Sequence, residues 1–133
     1  PGLGKRPLHA CSCSKAVAAF LPELLLTSDM EGRLRAYTEF TLTNVNDLEA
    51  ELETIRKRGF AECVEEIERG LCSVAAPLAP CGPGAAMSIG AAGSVRVFTP
   101  AFRDKLGTRI ARIAQDVSAK LGWDVAADAK LSG

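Results

Sequence analysis

Positive charge is not in surplus here: Lys plus Arg number 16 and Asp plus Glu number 16, so the formal net charge is zero. A module that grips a phosphate backbone draws most of its affinity from a clustered excess of Lys and Arg, and that excess is missing. With one Trp and one Tyr, a platform for stacking single-stranded bases is also hard to build. No apolar run approaches the roughly 20 residues needed to span a bilayer. Pro1 to Pro7 has no apolar stretch immediately behind it, so it does not read as a secretory signal. An even set of cysteines is lacking too, since Cys11, Cys13, Cys63, Cys72 and Cys81 make five. A domain of 133 residues does not need a disulfide framework, and reduced thiols in the cytoplasm are the simpler expectation.

What is present suits one globular domain. The hydrophobic fraction is 47% and the charged fraction 24%, typical of a folded soluble chain with a single core. The clearest local signal runs from Val45 to Gly59. Asn46 is expected to cap a helix there, with Glu49 completing a capping box. Leu48, Leu52 and Ile55 then fall on one face. Arg56, Lys57 and Arg58 sit where the helix dipole favours cations, and Gly59 supplies a left-handed stop. A longer helix is expected from Thr99 to Leu121, with Thr99 as cap, Pro100 in the first turn and Gly122 at the end. Its predicted apolar stripe is Phe102, Leu106, Ile110, Ile113, Val117 and Leu121. A third, Ala-rich helix is expected from Ser14 to Leu21, ahead of Pro22.

Strands are expected at Phe60 to Val64, Leu71 to Leu78 and Ala85 to Gly90. Pro80, Cys81, Gly82 and Pro83 punctuate the last pair as a hairpin connection. Met30 to Asn44 reads as mostly loop. The predicted order is helix, helix, strand, strand, strand, helix, an α+β pattern with an antiparallel sheet. Three short strands make a thin sheet for three helices. Completion by another chain, or by strands preceding Pro1, is the expectation.

Residues for chemistry are few. His9 is the single histidine, and a pairing with Cys11 or Cys13 lacks a third, orienting group. A residue anchoring the chain before a helix is its ordinary reading. Cys11 and Cys13 lack the matching second pair of a structural zinc site, so no metal is expected and small buried thiols are the simple alternative. Glu62, Glu65, Glu66 and Glu68 lie between two strands, where carboxylates more often face water. Gly82, Gly84, Gly90 and Gly93 do not have the strand-loop-helix setting of a phosphate cradle. Neither an enzyme nor a cofactor is expected.

A set of segments stands out as a whole. Arg6-Pro7-Leu8-His9-Ala10 is followed by Ser14-Lys15-Ala16, then by Ile55-Arg56-Lys57-Arg58-Gly59-Phe60. Glu65-Glu66 and Gly70-Leu71 lead on into Ser73-Val74-Ala75-Ala76-Pro77. This combination resembles the effector-binding domain of the IclR family of bacterial transcription regulators, in order and spacing, from about Gly4 to Gly122. The resemblance implies a GAF/PAS-like curved antiparallel sheet flanked by helices, assembled as a homodimer or homotetramer. It also implies a small organic acid effector, and contact with DNA only through a preceding winged helix-turn-helix. Residues 1–133 enter that pattern partway through the sensing domain, without the winged helix and the first strands.

Carried over position by position, the resemblance implies effector contacts at Ser12 and Cys13, Cys63 and Ser73, and Ser88 and Gly90. Backbone amides at the start of the first helix would suit a carboxylate. Ser73 and Ser88 would add hydroxyls, while Cys72, Val74, Met87 and Ile89 face the opposite way and pack the core. The sequence departs from the family pattern in three places: relatives often have an acid where Cys63 stands, Ser where Gly90 stands and Gly where Ser14 stands. A less polar pocket follows, suited to a larger or aromatic acid. An oligomerisation module with a vestigial pocket, and a thiol-based or metal-assisted sensor in which Cys13 and Cys63 approach each other, are the alternatives.

Overall fold

The computed structural model describes residues 9–21, 34–78 and 87–121. Its elements are α1 (Ser12–Phe20), α2 (Val45–Arg58), β1 (Ala61–Val64), β2 (Leu71–Pro77), β3 (Ser88–Ser94) and α3 (Pro100–Lys120). The strands form an antiparallel sheet in the order β1-β2-β3, so the α+β architecture is that expected from the sequence. The predicted hairpin residues Pro80 to Pro83, the helix stop at Gly122 and Pro22 lie outside the described residues. None of the helices among the described residues is long and apolar enough to cross a membrane.

Alternation along β2 divides the molecule in two. Ala75 and its cross-strand partner Ala61 face α1 and α2, in a core with Ala16, Ala18, Ala19, Leu48, Leu52 and Ile55. Cys72, Val74 and Ala76 face the other way, toward α3, in a core with Phe60, Phe98, Ile110 and Ala114. The small residues of α1 let its backbone lie close to the central strand. Cys72, Val74 and Ile89 thus pack the α3 side as expected, but Met87 is exposed.

Local rules set most element ends. Gly59 has φ 88 and its N–H closes α2 on the carbonyl of Ile55 at 2.7 Å. The cap of α2 is Asn44, whose side chain accepts from the Asn46 N–H at 2.7 Å. Asn46 is therefore already inside the helix, and the expected capping box with Glu49 does not form. Thr99 caps α3 by accepting from the Phe102 N–H at 3.3 Å, with Pro100 behind it. β3 runs on to Ser94, four residues past Gly90. Its small residues, Ala91 to Ser94, are weak strand formers, and it is pairing with β2 that makes them a strand.

The largest departure is the phase of α3. Its buried positions are Gly107, Ile110, Ala114 and Ser118, while Phe102, Ile113 and Leu121 are exposed. Close approach decides this. A Cβ on Gly107 would lie 2.3 Å from the Phe60 ring, so the helix turns its small residues toward the sheet and leaves bulky ones outside.

Candidate functional site

The start of α1 lies over the sheet face that carries Ser73. Ser12 Oγ and Ser73 Oγ are 2.6 Å apart, a hydroxyl pair joining helix to central strand across 61 residues of sequence. Ser12 is 1% exposed, so its hydroxyl needs this partner. Cys63 is the register partner of Ser73 on β1, which sets both side chains on the α1 face. It is buried, and burial followed by the nearby Glu66 charge pushes its thiol up. A raised, buried thiol is a poor nucleophile. Cys13, half-buried, packs against the core beneath α1.

Ser88 and Gly90 occupy the outer strand. They pair with Pro77 and Ala75, whereas Ser73 pairs with Ala92. All of these are on one face, with Gly90 about 7 Å and Ser88 about 13 Å along the strand from Ala92. The structure therefore joins Ser12 to Ser73 and sets Cys63 beside Ser73. Ser88 and Gly90 lie at the far end of the same face. A Cβ on Gly90 would meet the Val74 carbonyl oxygen at 2.7 Å and the Ala75 Cβ at 2.9 Å. This backbone excludes a side chain there, which accounts for glycine in place of serine.

Beneath this surface lies an ion pair that the sequence reading did not find. Lys15 is fully buried, and its Nζ donates to both carboxylate oxygens of Glu66, at 3.0 and 3.1 Å. Glu66 is 8% exposed, which corrects for this residue the expectation that the acidic run faces water, whereas Glu68 is exposed as expected. Glu65 has φ 57, a left-handed conformation unusual outside glycine, and the carboxylate that follows it turns inward. Thr38 and Thr41 hold the bend by donating to the carbonyls of Glu65 and Glu66. Glu66 also accepts from the Val64 N–H at 3.2 Å. Burial pushes its carboxyl up, with Lys15 opposing. The signal was present in the sequence: Ser12, Ala16 and Ala19 share a helix face with Lys15, and a lysine in a stripe of small residues requires a buried acid.

Further ion pairs extend from Lys15 across α2 to the sheet's opposite side. Glu51 lies 3.5 Å from Lys15 and 3.7 Å from Arg58. Glu62 lies 3.9 Å from Arg58 and 3.7 Å from Arg103 at the start of α3. His9 binds the Arg35 carbonyl through Nε2 at 2.7 Å and leans on the Tyr37 ring, the anchoring role expected of it. Among the described residues, no group of three or more His, Cys, Asp and Glu side chains is arranged to hold a metal ion.

The chain and its fold are similar to known proteins. Residues 3–119 match the family described as "Bacterial transcriptional regulator IclR C-terminal". The chain is 32% identical over 118 residues to the glycerol operon regulatory protein of Streptomyces griseus, covering 87% of this chain and 46% of that protein. It thus spans less than half of that relative's length. Among solved structures it is similar to Thermotoga maritima IclR, with a TM-score of 0.75 and 32% identity over 87% of this chain and 47% of that one. It also resembles a double mutant of the Acinetobacter PobR inducer binding domain, solved with 3-hydroxybenzoic acid. That likeness has a TM-score of 0.71 and 20% identity, covering 87% of this chain and 68% of the other, and shows the fold alone. These relatives are transcription regulators and not enzymes.

Proposed function

The chain belongs to the IclR family of bacterial transcription regulators, as its C-terminal domain, and from that premise we propose that it is the sensing half of such a regulator. It binds a small organic acid on the α1-facing side of the sheet and passes that binding on to an attached winged-helix domain in the cytoplasm. The carrying observation is the Ser12–Ser73 contact, which holds the amino end of α1 over a strand face bearing Cys63, Ser73 and Ser88. Amides and the positive end of a helix dipole favour a carboxylate. Hydroxyls on the strands orient it, and Cys63 and Cys13 make the wall less polar than an acid would. The PobR neighbour was solved with an aromatic acid, a chemistry that such a wall suits.

The mechanism is one of coupled equilibria. An effector that prefers one arrangement of a homodimer or homotetramer shifts the population toward it, and DNA affinity follows. The exposed Phe102 and Ile113 of α3, with Leu121 at its C-cap, favour a second role for the domain in assembly.

A thermal-shift screen of the purified chain against small carboxylic, aromatic and sugar acids tests the reading, because a ligand that prefers the folded state raises Tm. A saturable rise for one acid class, lost in Ser88→Leu without loss of folding, is the expected result. A flat screen on well-folded protein, repeated with a longer chain, would leave assembly as the domain's role.

A further inference from the structure

Two buried donors in the row of ion pairs, Arg58 Nη2 and Arg103 Nε, have no hydrogen-bond partner among the described residues. Each faces a carboxylate just out of reach. Arg58 Nη2 lies 3.7 Å from Glu51, and Arg103 Nε lies 3.7 Å from Glu62. A buried donor left unmade is costly, so this pair calls for an explanation. Both arginines are fixed from elsewhere: Arg58 Nε donates to the Phe60 carbonyl at 2.8 Å, and Arg103 Nη1 to the Phe98 carbonyl at 2.7 Å. The two carboxylates, by contrast, are shared. Glu51 also stands 3.5 Å from Lys15, and Glu62 stands 3.9 Å from Arg58 Nη1. Each acid is thus poised between two cations. A shift of about 0.8 Å toward the orphaned donor would close a charge-assisted hydrogen bond.

Arg58 makes the two choices interlock. Its rigid fork reaches from the α1 side of the sheet to the α3 side, with Nη2 toward Glu51 and Nη1 toward Glu62. Glu62 is the register partner of Val74, which faces α3, and the guanidinium lies 4.7 Å from the centre of the Phe60 ring in the same core. With Nε held on the Phe60 carbonyl, swinging the fork to close on Glu51 draws Nη1 away from Glu62. We propose that Lys15, Glu51, Arg58, Glu62 and Arg103 form a partner-exchange relay, which carries occupancy of the effector site at the start of α1 to the start of α3. The relay itself stands on the charge geometry, and what sets it in motion rests on the sensor reading.

The direction follows from charge. An acid carboxylate at the amino end of α1 brings a negative charge within one turn of Lys15. Lys15 keeps Glu66, which it holds through both oxygens at 3.0 and 3.1 Å, while its longer-range hold on Glu51 weakens against the incoming charge. Glu51 then closes on Arg58 Nη2, the fork releases Glu62, and Glu62 closes on Arg103 Nε. Both orphaned donors end with partners, and no charge leaves the row. Arg103 anchors the amino end of α3 through the Phe98 carbonyl, beside the edge-on contact of Phe98 with Phe102 at 5.3 Å. Exchange there changes how the exposed Phe102 is presented. Two discrete pairings, biased at one end and read at the other, are what coupling between sites requires.

The test follows the Arg103 Nε–H resonance in the nitrogen NMR spectrum of the purified, isotope-labelled chain, assigned by its disappearance in Arg103→Lys. Glu51→Gln is expected to shift that resonance although Arg58 and Glu62 stand between the two residues. In a Glu62→Gln background the same change should have no further effect. Glu53→Gln, which removes a carboxylate paired with Arg56 outside the row, should leave the resonance in place. A resonance unmoved by Glu51→Gln, or moved as far by Glu53→Gln, overturns the relay. Urea denaturation gives a second reading. The folding constant of the Glu51→Gln, Arg103→Gln double variant should depart by about threefold or more from the product of the single effects, and strict multiplication of those effects overturns the relay as well. Titration with 3-hydroxybenzoate, or the best acid of the screen, tests what drives it. An acid that raises Tm should move the Arg103 resonance in the parent chain. In Glu62→Gln it should still raise Tm but no longer move the resonance. A Tm rise without that movement in the parent overturns the link to the effector site. If no acid raises Tm, the sensor reading fails, and the Glu51→Gln measurements alone decide the relay.

Discussion

Lys15 holds Glu66 through both carboxylate oxygens across 51 residues of sequence, with the lysine side chain fully out of water. Two buried charges cost much to desolvate, so the pair contributes little net stability while intact and is expensive to split. Lys15→Met is expected to lower stability by about 3–5 kcal/mol near neutral pH. The sign of the pH dependence follows from the raised Glu66 carboxyl. Folding takes up a proton between the ordinary value of about 4.3 and the native one. The group's contribution is therefore fullest below the ordinary value and is lost as pH rises through the native one. Removing Lys15 takes away the cation that opposes burial, so the native value climbs further. The deficit of Lys15→Met should shrink as pH falls toward about 5. Urea midpoints of both proteins at the two pH values check this, and an equal deficit at both would mean that Glu66 is not the group responsible.

The hydroxyl pair offers a cleaner separation. Ser73→Ala leaves the Ser12 hydroxyl buried with its partner gone, a loss of about 1–3 kcal/mol. Ser12→Ala strips Ser73 in the same way. Once one hydroxyl is absent the second has nothing left to lose, so the double variant should fall short of the summed losses by about 1 kcal/mol. Chemical denaturation of the four proteins measures that coupling. Strict additivity would show that the 2.6 Å contact contributes nothing in solution.

Gly107 is predicted to break the usual rule for glycine inside a helix. Alanine there ordinarily gains about 1 kcal/mol through helix propensity. Here a Cβ would sit 2.3 Å from two carbons of the Phe60 ring. That ring is 2% exposed and packed into the core beneath α3. Overpacking of this kind costs about 1–3 kcal/mol, so Gly107→Ala should lower Tm rather than raise it. A rise would mean that α3 stands farther from the sheet than described.

Legibility in the sequence followed the range of each interaction. The Gly59 stop, the Thr99 cap and Pro100 are settled within a few residues of chain, and all three were legible. The antiparallel sense of the sheet was legible too, because short apolar runs broken by turn residues suit hairpin connections. What was not legible is set by contacts distant in sequence. The stripe of small residues around Lys15 calls for a buried acid without saying which, and only the left-handed Glu65 brings the Glu66 carboxylate inward. Asn44 displaced Asn46 as cap by two residues, a choice between equal side chains that local propensity does not decide. At the candidate site, Cys63 and Ser73 were implied only by the family resemblance, and it is the pairing of β1 with β2 that sets them side by side. The Ser12–Ser73 bond needed the height of α1 above the sheet, which its alanines determine.

The phase of α3 gives the sharpest contrast between apolar character and burial. Ile110 and Ile113 are the same residue three positions apart, both within the stripe expected to face the core. Ile110 is 7% exposed and packs with Val74 and Phe60, whereas Ile113 is 46% exposed. Ile110→Ala removes buried methyl groups and leaves a cavity, for a loss of about 2–5 kcal/mol. Ile113→Ala removes atoms already largely in water, and alanine's better helix propensity offsets part of the small packing deficit. Its effect on the isolated domain should stay within about 0.5 kcal/mol. Urea titration at low protein concentration reads both, since dilution keeps association through the exposed face from adding to the folded state's stability. Equal losses at the two positions would restore the stripe as the buried face and rotate α3 about its axis relative to the sheet. A loss at Ile113 that appears only at high protein concentration would identify that face with assembly.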